Sequence, residues 1–417
     1  MRTADMIASV AKAAKAAAAG LAGVSAAAKN EALNIMAGKL ADNAGRILSE
    51  NSKDMEAARA GGMRESMLDR LLLTERRIAD MAAGLKQVAA LPDPVGEIVS
   101  GRETANGLHI AKVRVPFGVI AIIYEARPNV TADAAGLCVK TGNAVILRGG
   151  SEAINSNRAI AKILAEAALK AGLPAHCVQF VDTVDREAVD SIIRLRGFID
   201  LVIPRGGAGL IKKVVENSLV PVIETGIGIC HTFIDETADF AMASDIAFNA
   251  KVSRPSVCNA METLLAHEKI APSFLPSMLD RLAQAQVEIF GDERTRSLWP
   301  KARIATEESW ATEYGDLRLS VKVVPDIEGA IEHIGRYGSK HSEAIVTRDL
   351  ENARLFQKRV DAAAVYVNAS TRFTDGFEFG FGAEIGISTQ KLHARGPMGP
   401  VELTAFKYII DGNGQTR

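Results

Sequence analysis

The sequence predicts an α/β protein with two doubly wound parallel-sheet domains. Short apolar runs of strand length alternate with amphipathic stretches of helix length, the pattern of parallel strands covered by helices on both faces. This alternation occurs in two sets, at about residues 118–223 and 232–395. A chain of 417 residues is also too long for one ordinary core, so two or more domains are expected.

The first ninety residues are predicted to be helical. Leu33, Met36 and Leu40 recur at helical spacing, as on the core-facing side of an amphipathic helix. Pro92 and Pro94 end the last of these helices, because proline has no backbone N–H for the helical ladder.

Two further elements are expected to lie outside both α/β sets. Short β-prone runs on either side of Asn106 and Gly107 predict a β-hairpin within residues 96–116. A stretch rich in glycine and proline precedes a last strand, predicted from Val401 to Ile410.

The strands of the two sets follow from their apolar runs. The first set contains predicted strands at Gly118–Tyr124, Ala144–Leu147, Val178–Val181, Leu201–Ile203 and Val220–Ile223. The second set contains predicted strands at Glu262–Leu265, Ser320–Val324, Ala344–Thr347 and Ala364–Val367. Ligands of parallel sheets bind beyond the carboxyl ends of the strands. The candidate binding loops of the first set are therefore residues 125–130, 148–151, 204–209 and 224–228.

Composition excludes several classes of protein. The 49 Lys and Arg residues are balanced by 50 Asp and Glu, so nucleic-acid binding is not expected as the main activity. No stretch approaches the roughly 20 apolar residues that cross a bilayer. The uncharged run from Ala16 to Ala28 is nearly all alanine, which favours a helix over a signal peptide. We expect a cytoplasmic protein that does not associate with membranes.

The four cysteines and seven histidines show no metal-binding or disulfide spacing. Cys138 and Cys177 fall within predicted core elements, which favours a packing role. Cys230 lies beside His231, but neighbouring residues on a strand point to opposite faces, so a catalytic pair is weakly indicated. We expect no metal site and a reducing environment.

Two glycine turns lie between a predicted strand and a helix. Gly206 and Gly207 follow one strand, and Arg148 to Ser151 follow another. Backbone N–H groups at such turns can approach a phosphate, although a plain tight turn is an equally good interpretation. Arg148 is either a solvated charge or a phosphate ligand. Two such turns on adjacent strands favour a dinucleotide site.

Cys258 is the candidate nucleophile. A lone cysteine is most often buried and inert. The neighbours of Cys258 are small, polar and cationic, which is unlike a core strand. Arg254 and the N-terminus of a following helix would lower the pKa of the thiol.

Three segments carry a resemblance to a known family: residues 324–345, from Val324 to Ile345, residues 124–131 and residues 382–389. They resemble the γ-glutamyl phosphate reductases, also called glutamate-5-semialdehyde dehydrogenases, within the aldehyde dehydrogenase superfamily. The resemblance spans almost the whole chain. It implies an aldehyde-dehydrogenase-like fold with an NADP-binding domain (residues 1–95 and 116–226), a catalytic domain (227–395) and an oligomerisation hairpin and strand (96–115 and 396–417).

The resemblance also implies roles for individual residues. Cys258 matches the nucleophile, and Asn129 matches the amide that binds the oxyanion together with the Cys258 backbone N–H. The positions that match cofactor-binding residues are Arg148, Ser151, Gly206, Gly207 and Asp316. Serine at position 151, where NAD-preferring relatives usually carry an acid, favours NADPH.

The implied reaction is the reduction of L-glutamyl 5-phosphate to glutamate 5-semialdehyde with release of phosphate, in proline biosynthesis. Glu224 matches a base of hydrolytic relatives that an acyl-phosphate reductase does not need, so it is structural or helps to move a proton. The charged substrate favours Arg254, Arg372 and Glu384 as ligands, and for each a solvated surface charge is an equally good interpretation.

The sequence also leaves two other classes of function open and suggests partners for the chain. An acyl-CoA reductase or a hydrolytic aldehyde dehydrogenase is possible on the same scaffold, and the segment from His333 to Glu343 argues against both. A non-catalytic binding protein is the third alternative. The hairpin and the last strand suggest a homodimer or higher homo-oligomer. A transient contact with glutamate 5-kinase is a further possibility.

Overall fold

The computed structural model describes residues 2–417, which form two compact units. Unit 1 comprises the chain up to Thr225 together with Gly380–Gly386 and Met398–Arg417. Unit 2 comprises Gly226–Phe379 and Ile387–Pro397. The predicted division into cofactor-binding, catalytic and oligomerisation domains stays a prediction about the roles of these parts.

The described residues of unit 1 form nine α-helices. They are α1 (Thr3–Leu21), α2 (Ala26–Asp42), α3 (Ala44–Ala60), α4 (Glu65–Leu71), α5 (Glu75–Ala90), α6 (Asn129–Lys140), α7 (Ile154–Lys170), α8 (Glu187–Ile192) and α9 (Ala208–Asn217). Its strands are β1 (Ile98–Glu103), β2 (His109–Pro116), β3 (Val119–Tyr124), β4 (Ala144–Arg148), β5 (Val178–Phe180), β6 (Leu201–Arg205) and the last strand, Thr404–Asp411.

Four strands of unit 1 form a parallel sheet in the order β5-β4-β3-β6. Every residue of β3 is buried, as a continuous apolar run predicts. The hairpin β1–β2 and the last strand form a separate antiparallel sheet. The sequence predicted the hairpin correctly, because the Asn106 and Gly107 turn is a local signal.

Two strand predictions in unit 1 need correction. Val220–Ile223 is not a strand, and it makes only an isolated bridge between Val202 and Val222. Pro221 lies in the middle of this segment and has no N–H to donate to a ladder. The last strand begins at Thr404, not Val401, because residues 401–403 form a 3₁₀ turn.

Unit 2 is built around seven parallel strands. They are β7 (Cys230–Ile234), β8 (Met261–His267), β9 (Glu288–Gly291), β10 (Arg303–Ile304), β11 (Arg318–Val324), β12 (Ser342–Val346) and β13 (Ala364–Val367). Their order in the sheet is β10-β9-β11-β8-β7-β12-β13. Two short antiparallel strands, β14 (Ile387–Ser388) and β15 (Gly396–Pro397), complete unit 2. The last strand of the chain, Thr404–Asp411 in unit 1, is therefore numbered β16.

The helices of unit 2 cover both faces of its sheet. They are α10 (Phe240–Val252), α11 (Ala271–Gln284), α12 (Glu293–Leu298), α13 (Glu307–Trp310), α14 (Ile327–Tyr337) and α15 (Leu350–Arg359). One apolar cluster includes Phe274 and Leu279 of α11. A separate cluster includes Ile331 of α14 and Phe356 of α15. Within residues 2–417, no helix has the length and apolarity to cross a membrane.

The sequence missed β7, β9 and β10 as strands. Strand β7 is fully buried but contains His231 and Thr232, so it does not read as a continuous apolar run. Strands β9 and β10 have four and two residues, which is too short for a periodic signal.

Candidate active site

The predicted cofactor loops of unit 1 lie at one edge of its sheet. Residues 125–128 follow β3, Gly149 and Gly150 follow β4, and Gly206 and Gly207 follow β6. The strand order reverses between β3 and β6, and ligands of open parallel sheets bind at such a reversal. The fold therefore brings both glycine turns to the carboxyl edge that the sequence predicted.

The turn at Gly206 and Gly207 is closed by a carboxylate. Glu125 accepts a hydrogen bond from the Gly207 N–H at 2.8 Å. A Cβ at position 206 would lie 2.6 Å from Glu125 Oε2, so glycine allows this close approach. The carboxylate occupies the N–H group at the start of α9, and a diphosphate bound there would have to replace it.

The second turn brings Arg148, Ser151 and Glu152 together. The Arg148 side chain is largely buried and donates to the Asp185 carbonyl at 3.4 Å. Burial lowers the pKa of Arg148, and the charges of Glu152 and Asp185 oppose that shift. Ser151 Oγ lies 3.4 Å from Glu152 Oε2. An acidic side chain therefore lies beside the serine on which the NADPH prediction rests.

Asn129 is the first residue of α6, and its amide is oriented by Asp133 one turn later. Asn129 Nδ2 donates to Asp133 Oδ2 at 3.0 Å. Burial raises the pKa of Asp133 to about 6, while the Asn129 hydrogen bond and the charge of Arg205 lower it. Neither Asp133 nor Arg205 was predicted from the sequence. Asp133 lies one helical turn from Asn129, a spacing that could have revealed it, whereas no spacing rule links α6 to Arg205 at the end of β6.

In unit 2 the candidate residues lie at the amino ends of the strands. Cys258 lies in a turn three residues before β8, and Asp316 lies just before the neighbouring strand β11. The next element after Cys258 is strand β8, which begins at Met261, so the predicted helix N-terminus after Cys258 is wrong. Helix α10 ends before Cys258, at Val252, and a helix C-terminus does not stabilise a thiolate.

Cys258 differs from the other three cysteines in exposure. Cys138, Cys177 and Cys230 are buried, whereas Cys258 is partly exposed. Burial raises the pKa of Cys177 to about 11 and raises the pKa values of Cys138 and Cys230 as well. Among the described cysteines, only Cys258 is therefore placed to react with a bound molecule.

The turn that carries Cys258 is held by its neighbour Asn259. Asn259 Nδ2 donates to the Thr374 carbonyl at 2.9 Å, and its Oδ1 accepts from Arg372. Thr371 Oγ1 donates to the Asn259 carbonyl at 2.7 Å. The turn is therefore tied to residues more than a hundred positions later, which fixes the backbone on which the thiol sits.

Cys230, the first residue of β7, also supports the turn that carries Cys258. The Cys230 thiol donates to the Cys258 carbonyl at 3.2 Å. Cys230 Sγ also lies 3.8 Å from His341 Nδ1, whereas the His231 ring hydrogen-bonds Glu343 at 2.9 Å. A Cys230–His231 pair is therefore not formed.

Gly228 packs directly against the backbone of Cys258. A Cβ at position 228 would lie 1.6 Å from the Cys258 carbonyl oxygen, so a side chain there must displace the turn. We expect Gly228→Ala to cost about 3 kcal/mol of unfolding free energy and to change the rate of Cys258 alkylation. Chemical denaturation and iodoacetamide labelling measure the two effects.

Gly335→Ala is the matched control for this prediction. Gly335 lies in α14 with open space around its Cβ position, so alanine should be neutral or stabilising there. Unchanged stability and unchanged labelling in Gly228→Ala would show that the turn tolerates a displaced carbonyl.

Arg372 interacts electrostatically with both Cys258 and Arg254 in unit 2. Burial lowers the pKa of Arg372, Arg254 lowers it further, and the charge of Cys258 raises it. Arg372 Nε also donates to Ser253 Oγ at 3.2 Å. Arginine charge, not a helix N-terminus, is therefore what can stabilise a thiolate at Cys258.

Asp316 is held beside a buried ion pair. Lys251 Nζ lies 2.7 Å from Glu262 Oε2, and both side chains are fully buried. Glu262 also accepts from the Gly315 N–H at 3.0 Å. The Asp316 carboxylate accepts from the Leu317 N–H at 2.8 Å. The loop before β11 is thus anchored to β8, the strand that follows Cys258.

The predicted site residues are divided between the two units. Unit 1 holds Asn129, Arg148, Ser151, Gly206, Gly207, Glu224 and Glu384. Unit 2 holds Cys258, Arg254, Arg372 and Asp316. Among residues 2–417, no three His, Cys, Asp or Glu side chains are grouped to hold a metal ion.

Comparison with known proteins places this geometry in a family. The sequence model of the aldehyde dehydrogenase family matches residues 1–298. A γ-glutamyl phosphate reductase from Moorella thermoacetica is 63% identical over 389 residues, 93% of each chain. The chain belongs to the γ-glutamyl phosphate reductases, within the aldehyde dehydrogenase family. Another such reductase, from Carboxydothermus hydrogenoformans, is 59% identical and covers 99% of this chain and 100% of its own.

Solved structures of the family agree with the fold. A crystal structure of γ-glutamyl phosphate reductase from Thermotoga maritima has a TM-score of 0.96 and 49% identity, covering 99% of both chains. An acetylating aldehyde dehydrogenase from Geobacillus thermoglucosidasius has a TM-score of 0.71 at 17% identity, covering 100% of this chain and 98% of its own. The similarity to the acetylating aldehyde dehydrogenase is evidence for the fold alone. The predicted family and the predicted fold class are both confirmed.

Proposed function

We propose that this chain catalyses the NADPH-dependent reduction of L-glutamyl 5-phosphate to L-glutamate 5-semialdehyde, with release of phosphate, in cytoplasmic proline biosynthesis. The observation that carries the proposal is the state of Cys258. Of the four cysteine thiols, that of Cys258 is the one that is partly exposed. It interacts electrostatically with Arg372, and its turn is fixed by Asn259. Family membership identifies the substrate class.

Cys258 performs the first half of the proposed reaction. Its thiolate attacks the γ-carbonyl carbon and forms a C–S bond, the carbonyl electrons move to oxygen, and their return expels phosphate. The product is a thioester on Cys258. The Asn129 amide and the Cys258 backbone N–H are the proposed donors to the oxyanion. The released phosphate carries away the bonding electrons, so no general acid is required.

The residues of unit 1 fit a nicotinamide dinucleotide. Gly149, Gly150, Gly206 and Gly207 present backbone without side chains at the reversal of strand order, where a Cβ at Gly149 or Gly206 would meet a neighbouring side chain. Arg148 and Ser151 are the proposed ligands of the adenosine ribose phosphate. Asp316, which belongs to unit 2, is the proposed ligand of the nicotinamide ribose. When bound, the cofactor supplies the hydride that reduces the thioester.

Cys258 and its neighbours complete the second half. The reduced carbon remains bound to sulfur as a thiohemiacetal, and cleavage of the C–S bond releases the semialdehyde and regenerates the thiol. Arg254, Arg372 and Glu384 are the proposed ligands of the carboxylate and ammonium groups of the substrate. Glu224 has no required step, because no water attacks the thioester in this sequence.

The decisive experiment runs the reaction in reverse. Purified protein receives pyrroline-5-carboxylate, the cyclic form of the semialdehyde, with inorganic phosphate and either NADP⁺ or NAD⁺, and absorbance reports cofactor reduction. We expect reduction that requires phosphate and is faster with NADP⁺. Reduction without phosphate would identify a hydrolytic dehydrogenase and give Glu224 a role as base. Faster reduction with NAD⁺ would overturn the cofactor assignment and implicate Glu152.

We also propose that the three-stranded sheet of unit 1 joins subunits in a homodimer or larger assembly. All residues of β1 are exposed, and so are the apolar side chains of Ile98, Tyr408 and Ile410. Open strand edges with apolar side chains pair readily with another chain. We expect light scattering at micromolar concentration to give a mass of at least two chains, and a monomer mass would overturn this proposal.

A further inference from the structure

Arg205 has a cationic side chain to which the proposed reaction assigns no role. It is the last residue of β6 and directly precedes Gly206. Its side chain is half-buried. Within the described part of the chain its guanidinium makes no hydrogen bond and no ion pair. A half-buried arginine whose guanidinium donors are unused within the chain can bind an anionic ligand.

The Arg205 side chain is held in place by packing. Gly386 approaches it so closely that a Cβ there would lie 2.7 Å from Arg205 Nη1 and 2.8 Å from Thr225 Cγ2. Thr225 is itself fixed, because its Oγ1 donates to the Pro204 carbonyl at 2.7 Å. The guanidinium therefore lies against the backbone at Gly386.

Arg205 interacts electrostatically with Asp133, the carboxyl group that accepts the hydrogen bond from Asn129. Arg205 is close enough to Asp133 for its charge to lower the pKa of that carboxyl group. Asp133 in turn accepts the hydrogen bond from Asn129. Arg205 therefore shares one region of unit 1 with the amide that we propose as the oxyanion donor.

We propose that Arg205 binds the phosphate group of the acyl phosphate substrate and of the phosphate that leaves, an inference that rests on the proposed function. A planar guanidinium matches two phosphate oxygens in a bidentate pair. Negative charge builds up on the leaving phosphate as the C–O bond breaks, so a fixed cation at this point favours its departure.

The diphosphate of the cofactor is the other phosphate that Arg205 could meet, since Gly206 and Gly207 are adjacent. The link through Asp133 to Asn129 favours the substrate phosphate, because that group is attached to the carbon whose oxygen Asn129 binds. If Arg205 binds the substrate phosphate, its loss should raise the KM for phosphate. If Arg205 binds the cofactor diphosphate, its loss should raise the KM for NADP⁺.

The reverse reaction tests this inference directly, because inorganic phosphate is then a substrate. In Arg205→Gln we expect the KM for phosphate to rise about 10- to 100-fold, with the KM for NADP⁺ and for pyrroline-5-carboxylate changed less than about twofold. Arg205→Lys should show a smaller rise, because lysine keeps the charge and loses the bidentate geometry. Arg194→Gln, at an exposed position after α8, is the matched control.

Each outcome decides the inference. A raised KM for NADP⁺ with an unchanged KM for phosphate would assign Arg205 to the cofactor and overturn it, as would no change in either constant. If Arg205→Gln is inactive or unfolded, the KM values of Arg205→Lys for phosphate and for NADP⁺ distinguish the two assignments in the same way. If the unmodified protein reduces NADP⁺ without phosphate, the proposed function itself fails, and that result does not depend on any Arg205 variant.

Discussion

Cys258→Ala is expected to lower kcat by about 10³-fold or more in both directions of the reaction. The variant lacks the sulfur that forms the thioester, and residues that act as one catalytic unit show losses of this size. Because the Cys258 side chain is only partly buried, its loss should leave the melting temperature nearly unchanged. Steady-state rates and thermal unfolding measure the two expectations.

Cys177→Ala is the control for this substitution. Cys177 is buried beside β5 in unit 1, and the proposed chemistry does not use it. Brief treatment with iodoacetamide should add one label to the unmodified protein and to Cys177→Ala, and none to Cys258→Ala. Retained activity in Cys258→Ala would overturn the covalent mechanism, and labelling of another cysteine would relocate the nucleophile.

Asn129→Ala is expected to lower kcat by about 10²- to 10³-fold, the usual effect of removing one oxyanion donor. The KM values should change much less, because the donor acts on the charge that develops in the transition state. Labelling of Cys258 should be unaffected, since the thiol itself is intact. The measurement is a pair of kcat and KM determinations in the reverse reaction.

Asn129→Asp separates hydrogen bonding from side-chain volume. Its carboxylate cannot donate, and it would lie next to Asp133, where Asn129 now donates at 3.0 Å. We therefore expect a loss at least as large as that in Asn129→Ala. Asn217→Ala, at the exposed end of α9, should be neutral. A kcat of Asn129→Ala within threefold of the unmodified protein would remove Asn129 from the mechanism.

The segment that most clearly resembles the family has a structural role in unit 2. His333 is buried among Trp310, Tyr337 and His231, and burial lowers its pKa to about 2, so it stays neutral. Glu343 accepts hydrogen bonds from both the backbone and the ring of His231. These contacts fix β12 next to β7, the strand that begins at Cys230.

The sequence by itself determined the alternation of strands and helices, the hairpin and the candidate nucleophile. These features depend on local properties: apolar periodicity, turn residues such as Asn106 and Gly107, and the polar neighbours of Cys258. Local signals failed where a short or polar element is defined only by its partners. Strand β7 was missed for this reason, and Val220–Ile223 was assigned to a strand that Pro221 prevents.

Only the tertiary structure decided which groups surround each candidate residue. Asp133 orients Asn129, Glu125 closes the turn at Gly207, and Gly386 packs against Arg205. These partners are separated by 4, 82 and 181 positions in the chain, and only the first separation is a helical spacing that sequence can reveal. Sheet topology brings the other two pairs together, because burial of apolar strands, and not the polar residues themselves, sets where the loops meet.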